Sequence, residues 1–107
     1  MSFTTGAALL DAVVLAVVSR EEEGTYGYKI TQEIKQALEL SESTLYPVLR
    51  RLQKEGALIT YDHPYQGRNR RYYAITPIGM EKLAAYRSQW RAYRDKVDDI
   101  LIGGYGQ

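Results

Sequence analysis

The feature that most constrains this chain is a heptad seam near its C-terminus. Leu83, Tyr86, Trp90, Tyr93, Val97 and Ile100 are spaced 3, 4, 3, 4 and 3 residues apart. On an α-helix that spacing draws one apolar stripe. A stripe of this length needs a covering surface, and nothing else in the 107 residues obviously supplies one. A second copy of the chain is the expected partner, with those six residues as the dimer interface. The length agrees, because 107 residues fit one domain and so short a chain buries only a modest core unless it associates.

The rest of the chain reads as three helices and a hairpin ahead of that stripe. The first helix is expected over 5–20: Leu9, Leu10, Val13, Val17 and Val18 recur near helical spacing, and Ala8, Ala12 and Ala16 permit close approach of another helix. Its apolar surface is wider than one stripe, so two neighbours are expected. Glu21, Glu22, Glu23 and then Gly24 end it. The second helix, 25–38, takes Thr25 as its N-cap and Ile30, Ile34, Ala37 and Leu38 as its buried stripe. The third, 43–54, buries Leu45, Val48, Leu49 and Leu52 and stops at Gly56; Ser41 or Ser43 caps it, which keeps Pro47 within the first two turns, where proline is tolerated. Strands are expected over 58–63 and 70–76, around a loop from Pro64 to Asn69. Thr76-Pro77 reads as an N-cap followed by a first-turn proline, opening a helix over 77–102 and a fraying tail over 103–107. This order predicts a mainly α fold with a β-hairpin wing: a winged helix-turn-helix over 1–76 and a C-terminal dimerisation helix over 77–107, in one compact unit.

A net charge of +1 conceals a strong polarity: residues 1–42 carry −4, residues 43–76 carry +4 and residues 77–107 carry +1. The cations of the middle segment are Arg50, Arg51 and Lys54 on the third helix and Arg68, Arg70 and Arg71 on the hairpin. In a winged helix-turn-helix the third helix lies in the DNA major groove and the hairpin touches the adjacent backbone. Arginine suits both tasks, because its planar fork pairs with phosphate or with the O6 and N7 of guanine. Ser43, Thr44 and Tyr46 add hydroxyls at the start of the third helix, and Gly67 and Asn69 permit a tight turn. With Tyr28 from the second helix, the candidate DNA-binding set is Tyr28, Ser43, Thr44, Tyr46, Arg50, Lys54, Arg68, Asn69, Arg70 and Arg71. A winged-helix module that binds another protein is the alternative; the six cations favour double-stranded DNA.

Other classes find little support. The chain has no cysteine and a single histidine, His63, so no thiolate or histidine metal site is expected. Neighbouring Glu21, Glu22 and Glu23 diverge on a helix and read as a solvated end, and His63 reads as a solvated residue near the wing tip. Tyr61, Tyr65, Tyr72 and Tyr73 are expected to pack the hairpin against the third and fourth helices. No Gly-rich phosphate loop or nucleophile–base set is present, so neither an enzyme nor a cofactor is expected. The apolar run from Ala7 to Val18 falls short of the roughly 20 residues a membrane span needs. Asp11 interrupts it and no Lys or Arg precedes it, which leaves no membrane association and a cytoplasmic protein as the expectation.

Three blocks carry a family resemblance. Tyr26-Gly27-Tyr28-Lys29-Ile30 is similar to the opening of the second helix in PadR-family regulators. Ser43-Thr44-Leu45-Tyr46-Pro47-Val48-Leu49-Arg50-Arg51-Leu52, followed by Glu55-Gly56, resembles that family's recognition helix. Arg70-Arg71-Tyr72-Tyr73-Ala74-Ile75-Thr76-Pro77-Ile78-Gly79 resembles its second wing strand and the start of the fourth helix. The resemblance spans about Gly6 to Leu101, and the single short C-terminal helix points to the compact branch. It implies a transcriptional regulator, a homodimer and usually a repressor, that leaves an inverted-repeat operator when an effector binds. It also implies a role for Trp90, because some compact members hold flat aromatic compounds beside a tryptophan eleven residues after the glycine that Gly79 matches. Trp90 thus has two readings, seam packing or effector contact, the latter with Leu9, Val13, Arg87 and Arg94. The two arginines lie at i−3 and i+4 from Trp90, which argues against a cationic ligand.

Overall fold

A computed structural model of the chain describes residues 6–103. Its elements run α1 (Ala7–Ser19), β1 (Thr25–Tyr26), α2 (Gly27–Ala37), α3 (Glu42–Lys54), β2 (Leu58–Tyr65), β3 (Arg68–Ile75) and α4 (Pro77–Leu101). The expected starting residue of the first helix, Thr5, and the tail beyond Gly103 lie outside the described residues. The architecture is the predicted one, mainly helical with a hairpin wing and a long last helix. A single core joins Val14, Leu15 and Val18 of α1, Ile30 and Ile34 of α2, Leu45, Leu49 and Leu52 of α3, Leu58 of β2 and Leu83 of α4. Among the described residues no helix is long and apolar enough to cross a membrane.

Three local readings are corrected. The helix α1 closes at Arg20, so Gly24 (φ 95°) shapes the following turn, where its N–H donates to the Glu21 carbonyl, and does not end the helix. Thr25 is not an N-cap: Thr25 and Tyr26 pair with Tyr73 and Tyr72, making β1 an edge of a three-stranded antiparallel sheet ordered β1-β3-β2. This pairing satisfies backbone groups of β3 that would otherwise lack partners, and it moves the helix start to Gly27. The inner face of α2 is also narrower than its sequence suggests. Ala37 and Leu38 are exposed because the chain turns extended at Leu38, and the buried Thr31 donates its hydroxyl to the Tyr28 carbonyl.

The wing is longer and its turn tighter than expected. Strand pairing continues to Tyr65 opposite Arg68, leaving Gln66 and Gly67, both at positive φ (51° and 78°), as the two turn residues. Two successive left-handed residues match the twist of a two-residue hairpin. Pro64 and Asn69 therefore face each other within the ladder. Proline is accommodated because β2 is an edge strand.

At the start of α4 the cap is as expected. The Gly79 N–H donates to Thr76 Oγ1 at 3.0 Å, while the Thr76 hydroxyl donates to the Gly56 carbonyl at 2.6 Å. A Cβ on Gly79 would stand 2.2 Å from the Ala57 oxygen, so this crossing requires glycine. Beyond the cap, α4 packs on α1, and the apolar stripe divides into two parts. Leu83 is 1% exposed within its own chain and has no surface to offer a second copy, which corrects its assignment to a dimer interface. Tyr86 is half-buried against the same core. Further along, Trp90 is exposed, Tyr93 and Val97 are partly covered, and Ile100 is 82% exposed.

Candidate nucleic-acid interface

The helix α3 owes its start to Ser41, whose Oγ accepts from the Thr44 N–H at 3.2 Å and lies 2.9 Å and 3.0 Å from the Ser43 and Thr44 hydroxyls. Capping at Ser41 satisfies a first-turn donor; Pro47 then stands inside the helix, past the first turn, and leaves the Ser43 carbonyl without its intrahelical N–H partner. The buried stripe is Leu45, Val48, Leu49 and Leu52. That stripe fixes the exposed side, where Ser43, Thr44, Pro47, Arg50 and Lys54 stand in solvent. Tyr46 departs from this group. It is half-buried, and its ring carbon Cε1 lies 3.0 Å from where a Cβ of Gly27 would be. Burial, helped by the nearby Glu42 charge, raises its phenol pKa.

Arg50 and Arg51 are consecutive but point to different sides of α3. Arg50 is exposed. Arg51 turns inward, where Nη1 donates to Asp11 Oδ2 at 3.2 Å and to Glu55 Oε2 at 3.2 Å, and Nη2 donates to Asp11 Oδ1. Asp11 is 5% exposed on α1 and also accepts from the Tyr86 O–H of α4 at 3.0 Å. Lys82 Nζ completes the set, 3.4 Å from Glu55 Oε1. The Asp11 hydrogen bond holds the Arg51 pKa above the ordinary arginine value. Burial alone would push Glu55 up, yet hydrogen bonds from Arg51 and Lys82 hold its carboxyl below the usual range. Arg51 therefore leaves the group of cations counted toward DNA and becomes a strut between α3, α1 and α4. Sequence patterning missed Asp11, which stood out only as a break in an apolar run; a lone carboxylate there was the one signal of a buried partner.

On the wing, alternation sorts the basic residues. Arg68 and Arg70 share a face with their cross-strand partners Tyr65 and His63, while Asn69 and Arg71 share the other with Pro64 and Asp62. The guanidinium of Arg70 lies 4.0 Å from the centroid of the Tyr26 ring and 3.5 Å from that of Tyr65. Tyr26 meets Tyr72 edge-on at 5.7 Å, and Tyr72 stacks on Tyr61 at 5.6 Å. Tyr61, Tyr65 and Tyr72 thus line the wing's own face and do not pack on α3 or α4 as expected; Tyr73 alone of the four enters the core. Arg71 approaches Asp62 at 4.0 Å with both side chains well exposed, a pairing that leaves the cation largely available.

Between the wing base and the first turns of α2 and α3 lies a cleft of about 530 Å³, lined by Tyr26, Gly27, Tyr28, Tyr46, Arg70, Arg71 and Tyr73. All seven lie within the three sequence blocks; Tyr26, Gly27 and Tyr73 were not among the expected DNA-binding residues, and only the β1–β3 register brings Tyr26 beside Arg70. Arg68 and Asn69 lie nearer the hairpin tip, lining a second hollow with Tyr65, Gln66 and Arg70. A separate apolar cleft of about 300 Å³ opens between α1 and α4, lined by Leu9, Ala12, Val13, Ala16, Leu83, Tyr86, Arg87 and Trp90. It brings together four of the five expected effector residues. Arg94 is not among them: it lies a further turn along α4 and pairs with Asp95 at 3.3 Å.

Comparison with known proteins decides the family. The profile of the transcriptional regulator PadR-like family matches residues 14–85, from the core of α1 to the packed part of α4. The chain belongs to the PadR family. It is 35% identical over 79 residues to the transcriptional regulator Rv3488 of Mycobacterium tuberculosis, covering 73% of this chain and 71% of that one. The solved structure of smu.1704 from Streptococcus mutans superposes with a TM-score of 0.83 at 38% identity, covering 100% of this chain and 98% of the other. A PadR-like regulator of Bacillus cereus superposes with a TM-score of 0.78 at 28% identity, over 92% of this chain and 94% of the other. Membership makes the protein a transcriptional regulator and not an enzyme, and binding of DNA through the winged helix is what the PadR fold implies.

Proposed function

We propose that this PadR-family protein is a homodimeric, sequence-specific DNA-binding repressor whose operator is an inverted repeat. Residues 1–76 serve as the DNA-binding unit, and the C-terminal part, 77–107, serves dimerisation through α4. The carrying observation is the placement of Arg70 and Arg71 in the cleft beside α3, with Arg50 and Lys54 exposed on α3 itself. Arg50 and Lys54 would reach base edges and phosphates in the major groove, and the wing arginines the adjoining backbone. Tyr93, Val97 and Ile100 extend past the protomer core, and with Trp90 they are the surface for a second α4.

The α1–α4 cleft is the effector site in this reading. Its walls are apolar apart from Arg87 and the Tyr86 phenol, and Trp90 offers an indole face for offset stacking, worth about 0.5–1.5 kcal/mol per aromatic pair. One cation and no carboxylate among the lining residues favour planar aromatics that are anionic or neutral. The test is fluorescence anisotropy of a labelled random duplex at low salt, with wild type and Arg70→Ala. Binding by wild type that weakens in the variant supports the reading; no binding by wild type at low salt removes it.

A further inference from the structure

We propose that Asp11 is the joint through which the wall of the α1–α4 cleft sets the seat of the recognition helix α3. Tyr86 and Arg51 are its two positioning residues. The inference deepens the effector reading and rests on it. Asp11 is the one buried carboxylate of α1, and its donors come from two different elements, α3 and α4. The Tyr86 ring lines the cleft, while its O–H donates to Asp11 Oδ2 at 3.0 Å. Arg51, on α3, donates to the same oxygen at 3.2 Å and to the other oxygen of the carboxylate. One oxygen of one side chain therefore serves both the cleft wall and the helix that carries Arg50 and Lys54.

The arrangement has two discrete states, because the phenol either keeps its hydrogen bond or gives it up. A flat molecule in the cleft touches the ring whose other end makes that bond. If it displaces the phenol, Asp11 loses one of its donors and the carboxylate's hold on Arg51 changes. Arg51 neighbours Arg50 in sequence, so a shift in its seat is a shift in the groove-facing side of α3. A ligand that favours one phenol position must then bind the DNA-competent and DNA-released forms unequally, and the linkage is reciprocal. The strut from Lys82 to Glu55 ties α3 to α4 independently of the cleft, so the protomer stays assembled when the Tyr86 bond opens.

The experiment measures coupling and not affinity alone. Anisotropy on a duplex selected from random sequence is recorded with and without saturating 8-anilinonaphthalene-1-sulfonate, an anionic aromatic probe, for wild type, Tyr86→Phe and Asp11→Asn. The phenylalanine keeps the wall and removes only the hydroxyl. In wild type the probe should lower DNA affinity on the order of tenfold. In Tyr86→Phe, which lacks the bond from the start, probe-free DNA affinity should already fall toward the value of probe-saturated wild type while the coupling falls toward one, and Asp11→Asn should lose coupling likewise. Undiminished coupling in Tyr86→Phe overturns the proposal and leaves the effector site standing. A probe that does not bind wild type, or binds without affecting DNA, overturns the effector reading and the proposal with it.

Discussion

The guanidinium of Arg70 lies 3.5 Å from the centre of the Tyr65 ring, on the same face of the wing. Arginine over an aromatic face gains about 0.5–1 kcal/mol at exposed sites, and Tyr26 on the other flank adds a second contact at 4.0 Å. The charge is thereby held in place before DNA arrives, so less side-chain freedom is lost on binding. Arg70→Ala should weaken all duplexes alike and reduce the slope of log affinity against log salt by about one. Tyr65→Ala should weaken binding less and leave the slope unchanged, because the charge remains. Salt titrations of both variants check this.

Arg50 and Arg51 should separate cleanly. Arg50→Ala should cost about 1–3 kcal/mol of specific DNA binding if the fork reads a guanine, with thermal stability close to wild type. Arg51→Ala should destabilise the fold by about 1–3 kcal/mol, since it leaves the buried Asp11 carboxylate short of donors; the 41% exposure of the Arg51 side chain keeps the loss below that of a fully buried pair. Thermal melts and anisotropy on the same two variants make the comparison.

Alkaline titration gives a third outcome. Burial raises the phenol pKa of both Tyr46 and Tyr86, with the Asp11 charge adding to the rise at Tyr86. A phenol whose folded value is raised stabilises the fold fully below the ordinary tyrosine value of about 10, and that contribution is lost as pH rises through the folded value. Stability should therefore fall above about pH 10, with a late-titrating component in phenolate absorbance that shrinks in Tyr86→Phe and in Tyr46→Phe.

The outer end of α4 should affect association without affecting the protomer. Ile100 is 82% exposed and outside the core, so Ile100→Glu should shift sedimentation from dimer toward monomer while circular dichroism stays unchanged. Leu83→Ala, by contrast, should lower stability by about 2–5 kcal/mol as a core truncation.

Much of this was legible beforehand, for identifiable reasons. Leu45, Val48, Leu49 and Leu52 set the rotation of α3, so the exposure of Arg50 and Lys54 followed from helical period alone. Thr76-Pro77 marked the start of α4 because capping is local chemistry. Features that depend on distant partners were not legible. Nothing within Thr25-Tyr26 says that it will pair with β3, and without that register Tyr26 could not be placed beside Arg70. Arg51 read as one more surface cation until α1 brought Asp11 to it. Leu83 shared a period with Ile100, yet period cannot tell which part of a stripe its own chain covers. The effector residues show the same division: Arg87 and Arg94 share a side of α4 by sequence, but only Arg87 lines the cleft, while Arg94 pairs with Asp95.

The most direct test of the central claim, a two-fold dimer reading DNA with α3 and the wing, is selection of bound duplexes from a random library, followed by measurement of protein–DNA stoichiometry. The account predicts an enriched inverted repeat, with half-site centres about one helical turn apart (roughly 34–36 Å) and two chains per duplex. Enrichment should vanish in Arg50→Ala combined with Arg70→Ala. No enriched sequence, or an asymmetric site bound by one chain, would contradict it.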